Sequence, residues 1–248
     1  MEVLTYFLLF FVGLFLGLFG GGGGILLVPI LTQVAKLPYF LATSYSLFLV
    51  GVTAFLGSLY HFKKKNILYK QAFEIIIPVT IISIITRNFL YPFLPEILFS
   101  FSKDQFLYLL FILVMILSAL LMLKKNITIA NVSFSIKIFL FLLLGLLTGL
   151  TGLGGGFLLV PILVIFYHQS INYAIPTSLF IIALNLLVTF LFEKKILLDF
   201  SFLLTSLVIV LLGFVFGIFL LKKINSSDLK KYFAYFLIIL AIVLLLNF

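Results

Sequence analysis

The chain has no cysteine, a single arginine, two histidines and only 9% charged residues in 248. The missing cysteine excludes disulfides, thiolate metal sites and cysteine nucleophiles, and says nothing about compartment. The scarcity of charge excludes more. A soluble domain is about 45–50% apolar and roughly 25% charged, whereas this chain is 65% hydrophobic. A soluble fold of this length has too little interior to hide that surface, so lipid is the solvent that fits. The acids are also few and peripheral. Glu2, Glu74, Glu96, Asp104, Glu193, Asp199 and Asp228 all lie at or near the ends of apolar runs. No carboxylate therefore stands at the expected midplane, where a proton relay would want one. His61 and His168 sit near segment ends too, and read as interfacial. With no metal-ligand cluster and no nucleophile–base pair, the sequence reads as a non-enzyme without cofactor or metal. Met1-Glu2-Val3 lacks the basic start of a secretory signal, and the apolar run behind it is read as part of the mature fold.

What is present is apolar and periodic on a large scale. The runs are Leu4–Phe19, Ile25–Ala35, Tyr39–Phe62, Ala72–Leu94 and Phe106–Leu123, then Phe134–Thr151, Phe157–Tyr167, Tyr173–Phe192, Phe200–Leu221 and Tyr232–Leu246. Each long run can span a bilayer as a helix, and each short run after a glycine cluster is too short to span alone. The net charge of +9 comes from lysines clustered between the runs (Lys63–Lys65, Lys124–Lys125, Lys194–Lys195, Lys222–Lys223, Lys230–Lys231). That placement suits cytoplasmic loops of a membrane protein and not a nucleic-acid surface.

The second set of runs repeats the first. Gly22-Gly23-Gly24-Ile25-Leu26-Leu27-Val28-Pro29-Ile30-Leu31 matches Gly154-Gly155-Gly156-Phe157-Leu158-Leu159-Val160-Pro161-Ile162-Leu163 at an offset of 132 residues. Gly13, Gly17 and Gly20 fall on Gly145, Gly149 and Gly152, and Thr43-Ser44 matches Thr177-Ser178 after a two-residue insertion. Two repeats are expected, 1–126 and 127–248, which together form one transport unit. Repeats with Gly/Pro-interrupted segments at matching positions are the best sequence pointer to a secondary transporter's binding site. If each broken pair makes one crossing, the lysines divide nine against six. If each is a re-entrant hairpin or two crossings, the repeats are inverted. The division is then eleven against four, with Lys36, Lys103, Lys194 and Lys195 in the minority. The second split obeys the positive-inside rule better.

Glycine allows positive φ and close backbone approach, and a helix restarting inside a membrane offers unpaired N–H groups and a positive dipole end to an anion. Gly22, Gly23, Gly24, Gly154, Gly155 and Gly156 are the candidates. The pairs Gly13/Gly17, Gly145/Gly149 and Gly213/Gly217 instead have the spacing of tight helix packing. The glycine clusters lack the strand and acidic residue of a dinucleotide fingerprint, and no GK[ST] follows. Arg87 lies inside an apolar run, so it reads either as an anion partner or as a side chain snorkelling from a helix that ends near Asn88. Thr43, Ser44, Thr177 and Ser178 could donate to an anion or cap helices. Asn185 stands among leucines, where its amide needs a neighbouring helix or a substrate as partner.

These motifs resemble the sulfite exporter TauE/SafE family of membrane transporters: the Gly-Gly-Gly-x-Leu-Leu-Val-Pro-Ile-Leu block in both repeats, the Thr-Ser after it, Asn185, and Gly213/Gly217. The resemblance covers essentially the whole chain. It implies an all-α polytopic membrane protein of about eight spans, broken or re-entrant after Phe19 and Thr151. It also implies transport of small sulfur oxyanions or organosulfonates across the cell membrane. Thr86-Arg87-Asn88 departs from the small residues usual there. On this reading the partners are a small anion and the lipid bilayer, with a homo-oligomer left open. An anion channel or a non-transporting membrane assembly subunit is the alternative.

Overall fold

The computed structural model describes residues 2–98, 101–123, 133–152, 155–193, 198–221 and 226–246. The described chain is almost entirely helical: α1 (Glu2–Phe19), α2 (Tyr39–Phe62), α3 (Tyr69–Ile85), α4 (Lys103–Leu123), α5 (Phe134–Thr151), α6 (Gly156–Ile165), α7 (Ile171–Leu191), α8 (Phe200–Leu221) and α9 (Ser226–Leu246). Four stretches among the described residues are long and apolar enough to cross a membrane: Tyr39–Phe62, Tyr69–Phe93, Ile171–Leu191 and Phe200–Leu221. Shorter apolar helices accompany them at Val3–Phe19, Gly23–Val34, Ser135–Thr151 and Lys231–Leu246. A two-stranded hairpin, Ile97–Leu98 with Phe101–Ser102, was not expected from the apolar pattern.

Glycine decides which helices meet. α1 and α8 run parallel at backbone contact: a Cβ on Gly13 would strike the Val210 carbonyl, and one on Gly213 the Phe10 carbonyl. α5 packs on α3 in the same way, where a Cβ on Gly145 would lie 2.7 Å from Val79 O and one on Gly149 2.7 Å from Ser83 O. The Ser83 hydroxyl donates to Gly145 O at 3.1 Å. The first helix of each repeat is thus paired with the fourth segment of the other, which interlocks them.

Helices that match in sequence run in opposite directions. α2 lies antiparallel to its counterpart α7, with Gly51 opposite Leu186 and Leu187 and Gly57 opposite Leu179. α3 lies parallel to α7, with Phe73 and Phe180 ring centroids 5.9 Å apart and the Asn88 amide donating to Phe192 O at 3.1 Å. Each glycine turn sends the chain back toward the end it came from. Both return legs finish alike: Leu37 N–H donates to Leu31 O and Gln169 N–H to Leu163 O, each at 3.0 Å. Lys36 (φ 58°) and His168 (φ 53°) take the left-handed conformation before these donors, a helix-ending turn one residue wider than the Schellman pattern. These directions place Lys36 and Lys103 at one end of the bundle. Lys63, Lys64, Lys65, Lys70, Lys137 and Lys231 lie at the other; Lys124, Lys125, Lys194, Lys195, Lys222 and Lys223 lie outside the described residues.

The two glycine turns differ in form. After the turn at Gly20 (φ 66°) the chain continues without a gap as a 3₁₀ helix, Gly20–Leu26, then a short α turn and a π turn, Ile30–Val34. Stacked side chains at i and i+3 penalise long 3₁₀ runs, and five glycines have none to stack. In the second copy the helix stops at Gly152 (φ 64°), and Gly155 (φ 59°) caps the start of α6.

Candidate functional site

The two glycine turns touch each other at the centre of the bundle. A Cβ on Gly21 would sit 2.6 Å from Gly156 Cα, and one on Gly156 2.5 Å from Gly21 Cα. Each turn also lies against the Thr-Ser helix of the other repeat. A Cβ on Gly20 would be 3.0 Å from Ser178 Oγ, and one on Gly152 2.6 Å from Thr43 Cβ. Close approach favours glycine at these positions, and positive φ does so as well at Gly20 and Gly152.

The remaining sequence candidates fall around this contact. Gly22 lies within the 3₁₀ turn; Gly23 presses on the backbone of Phe15 and Leu16, and Gly24 faces Val50. In a 3₁₀ run the main-chain donors turn into i→i+3 bonds, so the first copy offers free N–H groups only at its very start. In the second copy Leu158 and Leu159 N–H both bond to Gly155 O, at 2.9 and 3.1 Å, which leaves the donors of the first residues of α6 without an intrahelical acceptor. Gly154 lies outside the described residues.

Thr43 and Ser178 are fully buried and donate to carbonyls of their own helices, Phe40 O at 2.7 Å and Ile175 O at 2.8 Å. Thr177 Oγ1 accepts from Leu68 N–H at 3.1 Å, tying α7 to the residue that starts α3. Asn185 is fully buried; its Oδ1 meets the Thr189 hydroxyl at 3.5 Å and its Nδ2 has no partner. Thr148, which the sequence reading did not single out, is fully buried with an unpartnered hydroxyl, and a Cβ on Gly155 would lie 3.2 Å from it. Its place one turn before the second glycine cluster was the available signal.

Ser44 and Arg87 belong to a second cluster, at the lysine-poor end. Arg87 is 1% exposed, so it does not snorkel, and the helix does not end at Asn88. The chain passes through a π turn, Thr86–Leu90, into a last turn at Tyr91–Phe93. Such insertions recur at functional sites. Arg87 Nε donates to Glu193 Oε1 at 2.6 Å, and its Nη2 to Ser44 Oγ at 2.8 Å and Phe40 O at 3.3 Å. The guanidinium lies over the Phe40 ring at 4.2 Å. Glu193, read from sequence as a segment-end acid, follows α7 directly and its side chain is 2% exposed. Burial pushes its carboxyl above the ordinary range, while the Arg87 guanidinium and the Ser44 hydroxyl pull it down. Both nitrogens engaged by the carboxylate meet the same oxygen, so Arg87 Nη1 and Glu193 Oε2 are left buried without partners. The pair is strong but unsaturated.

The model of the family described as Sulfite exporter TauE/SafE matches residues 5–244. A protein of Methanocaldococcus jannaschii described as a probable membrane transporter protein is 33% identical over an alignment of 165 residues that covers 62% of this chain. The match spans 58% of that relative's length. No solved structure matches the chain.

Proposed function

This chain belongs to the sulfite exporter TauE/SafE family, a family of membrane transporters, and from that premise we propose that it carries a small sulfur oxyanion or organosulfonate out of the cell across the plasma membrane. The observation that supports this reading best is the crossed contact of the glycine turns, Gly21 on Gly156, with Gly20 beside Ser178 and Gly152 beside Thr43. It brings interrupted main chain from both inverted repeats to one point, the arrangement that alternating access needs.

The anion sits beside the contact of the two turns, not between them, against the start of α6. The first N–H groups after Gly155, the unpartnered Thr148 hydroxyl and Asn185 Nδ2 are its donors, with the Thr177 hydroxyl as a further one; Thr43 and Ser178 donate to it only on turning away from Phe40 O and Ile175 O. Gly22–Gly24, Gly155 and Gly156 shape the floor of the site. Arg87 and Ser44 receive the anion at the lysine-poor end, where it takes the place of Glu193. The lysine-rich end faces the cytoplasm under the positive-inside rule. With a negative interior, expelling one negative charge gains about 2.3 kcal/mol per 100 mV, so efflux needs no coupled proton.

Purified protein in liposomes tests the reading. Flux of sulfite, sulfate, taurine, sulfoacetate and thiosulfate is compared for wild type, Gly155→Leu and Arg87→Gln. Saturable flux of one or more of these anions, abolished by Gly155→Leu and slowed by Arg87→Gln, is expected. Fast non-saturating flux makes the protein a channel, and no flux at all leaves it an assembly subunit. A requirement for a pH gradient removes the uncoupled mechanism.

A further inference from the structure

At the lysine-rich end a cavity of about 260 Å³ lies between the end of α2, the start of α7 and the end of α8, and nothing in the transport reading above uses it. Tyr60, His61, Lys64, Asn66, Asn172 and Ile175 line it. His61 is 7% exposed, and neither ring nitrogen has a hydrogen-bond partner. A buried imidazole left this way costs the full desolvation of its polar atoms, a cost that a ligand accepting its N–H would remove. Lys64 keeps its ammonium 4.6 Å above the Tyr60 ring. Other ionisable groups at this end include Lys63, Lys65, Lys70, His168, Lys231 and the Lys137–Glu74 pair; among the described residues no carboxylate lines the cavity.

The inverted repeat explains why a cavity lies here. Gly17 and Gly149 are equivalent, and a Cβ on them would meet Phe214 O and Ser83 O respectively. That registers Ile218 with Arg87, as the repeat registers Ser178 with Ser44. At the lysine-poor end this corner is filled by the Arg87–Glu193 pair. At the lysine-rich end Ile218 forms part of an open wall. Ile175 lines the cavity and also faces the first glycine turn: a Cβ on Gly20 would lie 3.2 Å from its Cγ2.

We propose that this cavity is a second oxyanion site, an antechamber in which Lys64 and His61 receive a small sulfur oxyanion or sulfonate before it passes Ile175 to Gly20 and Ser178. Lys64 supplies the charge, His61 a buried donor, and Asn66 and Asn172 neutral donors at the mouth. The proposal rests on the anion-transport reading and deepens it.

Two measurements on the full chain test it. In liposomes, with sulfite presented at the lysine-rich face in about 20 mM salt, Lys64→Gln and His61→Gln each raise the half-saturating concentration about fivefold. The maximal rate stays within about twofold, as expected for loss of binding alone. Lys64→Arg restores the wild-type value. In 1 M salt, where the screening length falls to about 3 Å, the Lys64→Gln difference vanishes. Sulfite presented at the other face gives unchanged half-saturation in both variants. In nanodiscs, equilibrium binding of sulfate reports the site without transport and is weakened about fivefold by either substitution. Lys64 lies on the surface, so its variant folds even where His61→Gln does not. Unchanged half-saturation and unchanged sulfate binding in Lys64→Gln overturn the antechamber while leaving the glycine-turn site standing. Sulfate binding absent from wild type overturns it as well. Wild-type flux that survives Gly155→Leu overturns the glycine-turn site instead.

Discussion

Arg87→Gln is the most informative single substitution, because the pair it breaks is buried and crosses between the repeats. The side chains of Arg87 and Glu193 are 0% and 2% exposed. Removing one partner of such a pair costs about 3–5 kcal/mol, because the other charge is left buried, whereas replacing both by apolar residues of similar size is often neutral. Arg87→Gln leaves Glu193 with the Ser44 hydroxyl at 3.0 Å as its remaining donor, which sets the expected loss at the lower bound, about 3 kcal/mol. At about 2–4 °C per kcal/mol for a chain of this size, the melting temperature in detergent falls by roughly 6–12 °C. Glu193→Gln costs less, since Arg87 keeps Ser44 Oγ, Phe40 O and the Phe40 ring face. The double variant Arg87→Met/Glu193→Met returns close to wild type. The loss in Arg87→Gln also depends on pH. Burial already raises the Glu193 pKa against the pull of Arg87 and Ser44, and without Arg87 only the Ser44 hydroxyl still opposes that upward push. A carboxyl whose folded pKa exceeds its unfolded value favours the fold below the unfolded pKa, and that advantage is lost as pH rises through the folded pKa. Arg87→Gln therefore melts higher at pH 5 than at pH 8, by a wider margin than wild type. Equal melting temperatures for wild type and Arg87→Gln, or a double variant as unstable as the single ones, would refute the reasoning.

Other substitutions separate packing from binding. Gly156→Ala pushes a methyl into the Gly21 backbone at 2.5 Å and should prevent a stable fold, seen as loss of monodisperse protein. Gly24→Ala meets only Val50 methyls at 3.1 Å and should cost under about 1 kcal/mol after a small rotation. Thr177→Val removes the acceptor of Leu68 N–H and should cost about 1–2 kcal/mol of thermal stability, as expected for a donor left unsatisfied, while Thr177→Ser keeps it. Asn185→Leu removes a buried amide whose Nδ2 has no partner. It should leave stability unchanged or raised, while a fall in transport rate in the same variant marks Asn185 as a substrate contact.

The helices were legible because each is an apolar run of spanning length, and the ends of α2, α5 and α8 fall at the first and last residues of their runs. The spacing of the glycines was legible because backbone contact sets it, and that contact tolerates no other side chain at Gly13, Gly145 or Gly213. The lysine clusters favoured opposite orientation of the matching segments, and α2 and α7 lie antiparallel. What escaped was long-range or conformational. Glu193 stands beside Lys194 at the end of a run, the usual place for a solvated acid, and its partner lies 106 residues earlier. No local pattern encodes that pairing. The glycine clusters announced a break, yet five glycines in a row could equally wind as a 3₁₀ helix, and did so at Gly20–Leu26. His61 read as interfacial because it lies near the end of its run; α7 and α8 bury it.

The unsaturated Arg87–Glu193 pair bears on how the lysine-poor end could open. Separating the two charges in a water-poor interior costs several kcal/mol per ion. Exchanging one anion for another on Arg87 avoids most of that cost, because the guanidinium stays paired throughout. On the transport reading the substrate competes with Glu193 for Arg87, and Nη1, which has no partner, is the donor free to meet it first. Glu193→Gln removes the internal competitor and keeps the volume. Anion binding measured in nanodiscs should then tighten by roughly tenfold, since the competing state no longer lowers the apparent affinity. Turnover in liposomes should slow, because the anion leaves Arg87 with nothing to replace it. Binding that is weaker or unchanged in Glu193→Gln would show that Arg87 serves only to hold α2, α3 and the end of α7 together.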